Sequence, residues 1–167
     1  LSGFQQARGD AEAAEALLVS ALEKNPQASA SRANLADLYR IQDKEEAARA
    51  TLERGIQLNQ EDASLWFSLA LLEVREGNGV VALAALEKAA SLEETPSFYH
   101  YVYAVAQHDQ GRPAEAMTTL KATNRAAPGQ PNVLAALMQY SQLAGDTQGA
   151  QRYQTELRNT AQAAGVR

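Results

Sequence analysis

A turn-forming residue recurs every 34 positions along this chain. Asp43, Gly77, Gly111 and Gly145 stand at that spacing, and Gly9 lies one step before them. Five residues after each comes an alanine: Ala14, Ala48, Ala82, Ala116 and Ala150. Nine after come Leu18, Leu52, Leu86 and Leu120, until Gln154 breaks the column. Eight before stand Leu1, Leu35, Leu69, Tyr103 and Leu137. A period held this long without an insertion excludes most single-core folds. It requires a stack of like units, each burying its apolar side against the next.

The stretch 63–96 shows the unit best. Trp66, Leu69, Ala70 and Glu73 fall at spacings of three and four, as do Ala82, Leu86, Ala89 and Ala90. Both runs place apolar or small residues along one side of a helix. Gly77 between them can take the left-handed conformation that ends one helix and reverses the chain. Asp tolerates that region better than most residues, so Asp43 fits the same column. The unit is therefore a helical hairpin, and its alanine lets the two helices approach closely.

The remaining punctuation follows this frame. Residues 1–8 are expected as the tail of a first helix, with a turn at Gly9 and a partner over 10–24 that stops at Asn25-Pro26. Ser29 or Ser31 can cap the next helix, which runs to about Gln42, and 44–58 pairs with it. Asp62 is expected to cap the helix of Trp66, and Thr95-Pro96 to open another, Thr as cap and Pro as first helical residue. Pro113 sits early in its helix, and Gly129-Gln130-Pro131 opens the last unit. The final helix, about Thr147 to Ala163, narrows its apolar stripe to Ala150, Tyr153, Leu157 and Ala161, as a terminal helix with one wet face requires. Leu1 falls in mid-helix, so further repeats of a longer bacterial protein are expected upstream. The open first end is expected to be covered by those repeats or by a homodimer partner.

Charge and chemistry narrow the function. Fifteen Lys and Arg against 20 Asp and Glu give a net charge of −5, which argues against nucleic acid and anionic membrane as partners. The four lysines do not cluster along the sequence, and there is no cysteine to form a disulfide, a thiolate zinc site or a haem attachment. No run approaches a membrane span. No nucleophile–base pair, phosphate loop or paired-carboxylate pattern stands out, so neither an enzyme nor a bound cofactor is expected. His100 and His108 are a little over 10 Å apart along one helix, too far to share a metal. His100 occupies the slot that Trp66 fills one unit earlier, which reads as a core or half-buried position.

Trp66, Leu69, Ala70, Gly77, Ala82, Leu86 and Ala89, with Tyr39, Pro26 and Pro128 in support, resemble the tetratricopeptide repeat pattern. Glu73, Gln107 and Ser141 depart from it where the family usually has Tyr, and Gln60 and Glu94 where it has Pro. The resemblance implies an all-α, right-handed superhelical solenoid of antiparallel helix pairs. Its single domain would comprise units 1–28 (partial), 29–62, 63–96, 97–130 and 131–164. It also implies that the first helix of each pair lines a concave face used to hold a peptide or helix of a partner protein. In that frame Phe67, Leu71, Phe98, Tyr101 and Val105 form an apolar and aromatic patch, with Asp37, Arg40, Arg75 and His108 as its polar rim. The Lys, Asn and Arg clamp by which some members hold a chaperone carboxylate is not matched, because Ala33, Asp37, Ser68, Phe98 and Val102 stand there.

A second reading is architectural. ANLADLYR (33–40) and YVYAVAQHDQGR (101–112) resemble repeat tails of periplasmic multihaem cytochrome proteins. The chain would then hold together a larger periplasmic redox protein whose haem chemistry lies upstream.

Overall fold

The structure, a computed structural model, describes residues 2–92 and 95–165, with side chains for 10–92, 95–163 and 165. Leu1, and with it the first member of its column, lies outside the described residues. Among them the fold is all α, in nine helices: α1 (Ser2–Lys24), α2 (Ser29–Ile41), α3 (Glu45–Leu58), α4 (Ala63–Arg75), α5 (Gly79–Ser91), α6 (Ser97–Asp109), α7 (Pro113–Ala126), α8 (Pro131–Leu143) and α9 (Thr147–Gly165). The closest packing is within the pairs α2–α3, α4–α5, α6–α7 and α8–α9.

One turn is built four times. Lys44 N–H donates to Tyr39 C=O, Asn78 to Glu73, Arg112 to Gln107 and Asp146 to Ser141, at 2.8–2.9 Å. Inside each, Asp43, Gly77, Gly111 or Gly145 donates to the carbonyl three residues back. This double bond pattern satisfies the last carbonyls of the first helix and needs a left-handed residue at its centre. Asp43 supplies it at φ 56°, and the three glycines at φ 74–79°. The alanine five residues on then meets the first helix: Ala48, Ala82, Ala116 and Ala150 are all buried.

The chain forms two compact units, residues 1–93 and 94–167. In the first, Ala36, Ala48, Leu52, Ile56, Leu65, Leu69 and Leu72 form a core, with Tyr39 and Trp66 packed on it. Trp66 Nε1 donates to Gln60 C=O at 2.8 Å, so its polar edge is satisfied. In the second, Leu120, Val133, Leu134, Leu137, Tyr140 and Tyr153 are buried with Ala104, Ala116 and Ala136. Along α9 the apolar stripe closes with Leu157, because Ala161 is exposed.

Where the family usually has Tyr, this chain buries polar side chains and satisfies most of them locally. Glu73, 1% exposed, accepts from Asn78 Nδ2 at 2.8 Å and pairs with Arg49 of α3. Gln107 Oε1 accepts from Thr119 Oγ1 at 2.8 Å. Gln107 thus bonds across its hairpin to the following helix α7, whereas Glu73 is held by the turn residue Asn78 and by the preceding helix α3.

Three local expectations are corrected. α1 runs unbroken through Gly9, where the 34-residue step placed a turn. A continuous helix pairs the backbone groups around Gly9 internally, at a cost of about 1 kcal/mol for glycine in a helix. Neither Ser29 nor Ser31 caps α2; Ala28 holds that position without a side-chain bond. The Ser29 hydroxyl reaches the Gln27 carbonyl instead, at 3.5 Å. Pro96, not Thr95, precedes the first residue of α6, since the Thr95 hydroxyl is engaged with His100 Nε2 at 3.0 Å. Asp62 does cap α4, accepting from Ser64 N–H at 2.9 Å.

Candidate functional site

Two first-helix faces carry the residues singled out in the sequence, one in each unit. In unit 1, Ala33, Asp37 and Arg40 fall four and three residues apart on α2, and Ser68, Leu71 and Arg75 three and four apart on α4. Each set therefore shares one face, and the faces meet. They enclose a groove of about 440 Å3 that is floored by Ala36, Ala48, Leu52 and Leu72. The small side chains of Ala33, Ala36 and Ala48 keep this floor open.

The groove is apolar at its middle and ionic at its rim. Leu71 is 48% exposed. Arg40 Nε donates to Asp37 Oδ1 at 3.0 Å, and Arg75 Nη2 lies 3.8 Å from Asp43 Oδ1. Asp37 and Asp43 are 67% and 84% exposed, so water screens both pairs and neither is held firmly. Four of the nine residues named from the sequence, Asp37, Arg40, Leu71 and Arg75, are thus brought together. Phe67 is not among the lining residues; it is buried and belongs to the packing of α4.

The other four lie along α6 in unit 2. Phe98, Tyr101, Val105 and His108 follow one another three, four and three residues apart and share a face. Phe98 is half-exposed, and its ring centroid lies 6.0 Å from that of Tyr101. Tyr101 packs against the unit 2 core. His108 stacks on Tyr140 of α8, which occupies one of its ring faces. His100 is half-buried, and burial holds its pKa below the usual histidine value.

Ala33 and Ser68 already stood at clamp positions of the repeat frame, but sequence reasoning missed that Ala36 and Ala48 would floor a groove between them. The signal was available: Ala33 and Ser68 are small residues where each first helix could have carried a bulky one. Among the described residues no group of three or more His, Cys, Asp or Glu is gathered as a metal would need. No described helix is long and apolar enough to cross a membrane.

Repeated helical hairpins with a recurring left-handed turn define an α-helical repeat protein of the kind that presents a face for other proteins. The tetratricopeptide repeat pattern matches residues 6–72 and again 98–122. The chain belongs to the tetratricopeptide repeat family. Similar solved structures include MamA, at 16% identity and TM-score 0.79 over 98% of this chain and 95% of that one. PilF of Pseudomonas aeruginosa follows at 19% identity and TM-score 0.77, over 95% of this chain and 72% of that one. YrrB, described as a TPR protein with an unusual peptide-binding site, matches at 17% identity and TM-score 0.69, over 95% and 81%. These likenesses are of fold. A search of curated protein sequences finds no significant match.

Proposed function

We propose that the chain is a non-enzymatic scaffold whose α2–α4 groove holds a short segment of a partner protein. The observation that carries this reading is Leu71, half-exposed over an alanine-floored groove between two guanidinium groups. A soluble protein gains by burying such a side chain, and an apolar centre with a polar rim is the make-up of a protein contact surface. A segment with one apolar side chain over Leu71 would bury it. Polar groups of both signs on that segment would meet Arg40, Arg75 and Asp37. YrrB, of the same fold, is described as binding a peptide, which supports the class of ligand. In unit 2 the face of Phe98, Tyr101, Val105 and His108 is proposed as a second contact, led by Phe98.

A peptide-library selection on the chain, run beside Leu71→Asp, tests the first contact. We expect an enriched motif containing an apolar residue, weakened at least tenfold by the substitution. Enrichment that survives Leu71→Asp, or no enrichment at all, overturns it. Phe98→Glu tests the second contact in the same way. Leu17 and Val19 of α1 are exposed, which supports a homodimer through that end, and a strict monomer at high concentration in light scattering would oppose it.

A further inference from the structure

Unit 2 carries a second groove on the opposite helix of each pair. It lies between α7 and α9, encloses about 370 Å3, and is lined by Lys121, Asn124 and Arg125 from one helix and Arg152, Tyr153 and Glu156 from the other. We propose that it docks an acidic, extended segment of a partner protein.

The argument begins with pairing. In unit 1 five of the eight cations with described side chains, Arg40, Lys44, Arg49, Arg75 and Lys88, have a carboxylate within 4 Å. Among the described residues, Lys121, Arg125 and Arg152 form no such pair, although all three are exposed and line one groove. Glu156 is the only carboxylate in the lining, and Asn124 Nδ2 donates to its Oε1 at 3.3 Å. Glu156 keeps its charge in that bond, so three cations against one carboxylate leave the groove with a net positive charge. Arg152 lies over the ring of Tyr153 at 4.6 Å and donates to its hydroxyl at 2.7 Å, contacts that orient the guanidinium without neutralising it.

The charge is also localised. Residues 1–93 hold 15 acidic against 9 basic side chains, while residues 94–167 hold 5 against 6. An acidic segment is therefore repelled by the first unit and drawn to the second. The same balance disfavours nucleic acid, which would need a larger basic surface.

Spacing selects an extended segment. Lys121 and Arg125 sit one turn apart, about 6 Å along the helix axis. Alternate side chains of an extended chain are about 6.6 Å apart and point the same way. Two acidic residues separated by one other match the two cations on α7. Arg152 across the groove takes a third carboxylate or a main-chain carbonyl.

The probe is a fluorescein-labelled peptide, Gly-Asp-Ala-Glu-Ala-Asp-Gly, titrated with the chain by fluorescence anisotropy at about 50 mM salt, where exposed charges act over more than 10 Å. We expect saturable binding, weakened at least tenfold by Lys121→Gln with Arg125→Gln and weakened again at about 300 mM salt. The Asn and Gln version of the peptide should not bind, and Arg40→Gln with Arg75→Gln should leave binding unchanged. Lys121, Arg125 and Arg75 are exposed and Arg40 is partly exposed, so the variants are expected to fold, which circular dichroism checks. Absent binding, or binding equal in the Lys121/Arg125 variant, overturns the proposal. Loss in the Arg40/Arg75 variant sends the acidic segment to the α2–α4 groove and overturns it as well. Light scattering completes the set: a dimer that the Lys121/Arg125 variant abolishes would make a second copy the occupant, against the proposal.

Discussion

Gly55 of α3 lies directly under Arg32 of α2. A β-carbon at position 55 would overlap Arg32 Cδ and stand 2.9 Å from Leu65 Cδ1. Arg32 is only 7% exposed, and its Nη2 donates to the Pro26 carbonyl at 2.6 Å, which ties the loop after α1 to α2. Glycine in a helix interior ordinarily loses to alanine by about 0.5–1 kcal/mol. Here Gly55→Ala should instead destabilise the protein by about 1–3 kcal/mol, because neither buried neighbour has room to move. Urea denaturation reads the difference. A stabilised Gly55→Ala protein would show that Arg32 leaves the site freely.

The four hairpin turns make a prediction of opposite signs. Asp43 holds a left-handed conformation that suits glycine better, and its ion pair with Arg75 is largely exposed. Asp43→Gly should raise stability by up to about 1 kcal/mol. Gly111→Ala at the equivalent position, φ 74°, should lower it by about 1–2 kcal/mol. A β-carbon at Gly111 meets no atom within 4 Å, so the loss measures backbone strain alone. Thermal melts of the two variants should shift in opposite directions.

Glu73 is a buried carboxylate with a dedicated partner. Arg49 holds both Glu73 and Glu76, and Asn78 donates to the second oxygen of Glu73. Removing the cation alone strands the charge, so Arg49→Met should cost about 3–5 kcal/mol. Glu73→Gln should cost less, since an amide can still accept from Asn78 and carries no charge. The double variant should recover part of the Arg49→Met loss. Additive losses in the double-mutant cycle would show that the two side chains do not interact.

These residues mark the boundary of what the sequence makes legible. The Gly or Asp turn and the alanine after it recur in four successive hairpins, and the leucine columns in most of them, because the backbone imposes the same demand each time. A period exposes such demands without any knowledge of the fold. Arg32 on Gly55 and Arg49 on Glu73 occur once each, so no column betrays them. Phe67 was expected at a binding surface because the repeat frame counts positions. It is buried because α4 also packs on the helices beside it, and the frame does not report that. The groove of Lys121, Arg125 and Arg152 was hidden for a related reason. Its cations are scattered along the chain and converge only when α7 and α9 lie side by side. Gly9 shows the converse, a residue in the right column whose helix continues.

The last prediction concerns alkaline pH. His108 of α6 stacks on Tyr140 of α8, ring centroids 4.0 Å apart and planes 10° from parallel. Burial pushes the Tyr140 pKa above 10, and Asp109 and then Tyr101 add to the rise. The folded protein therefore keeps this phenol neutral at a pH where the unfolded chain ionises it. The stability this contributes is complete below pH 10 and is lost as pH climbs from there through the folded value. Tyr39 shifts the same way, first through burial and then through Glu15, which accepts from its hydroxyl at 3.1 Å. Melts from pH 9 to 11.5 should show stability falling once pH passes about 10. Tyr140→Phe should flatten part of that fall and Tyr39→Phe another part. His108→Ala should lower stability by about 1 kcal/mol at neutral pH through loss of the stack. An unchanged alkaline profile in Tyr140→Phe would mean that its phenol already meets water and that the stack does not shield it.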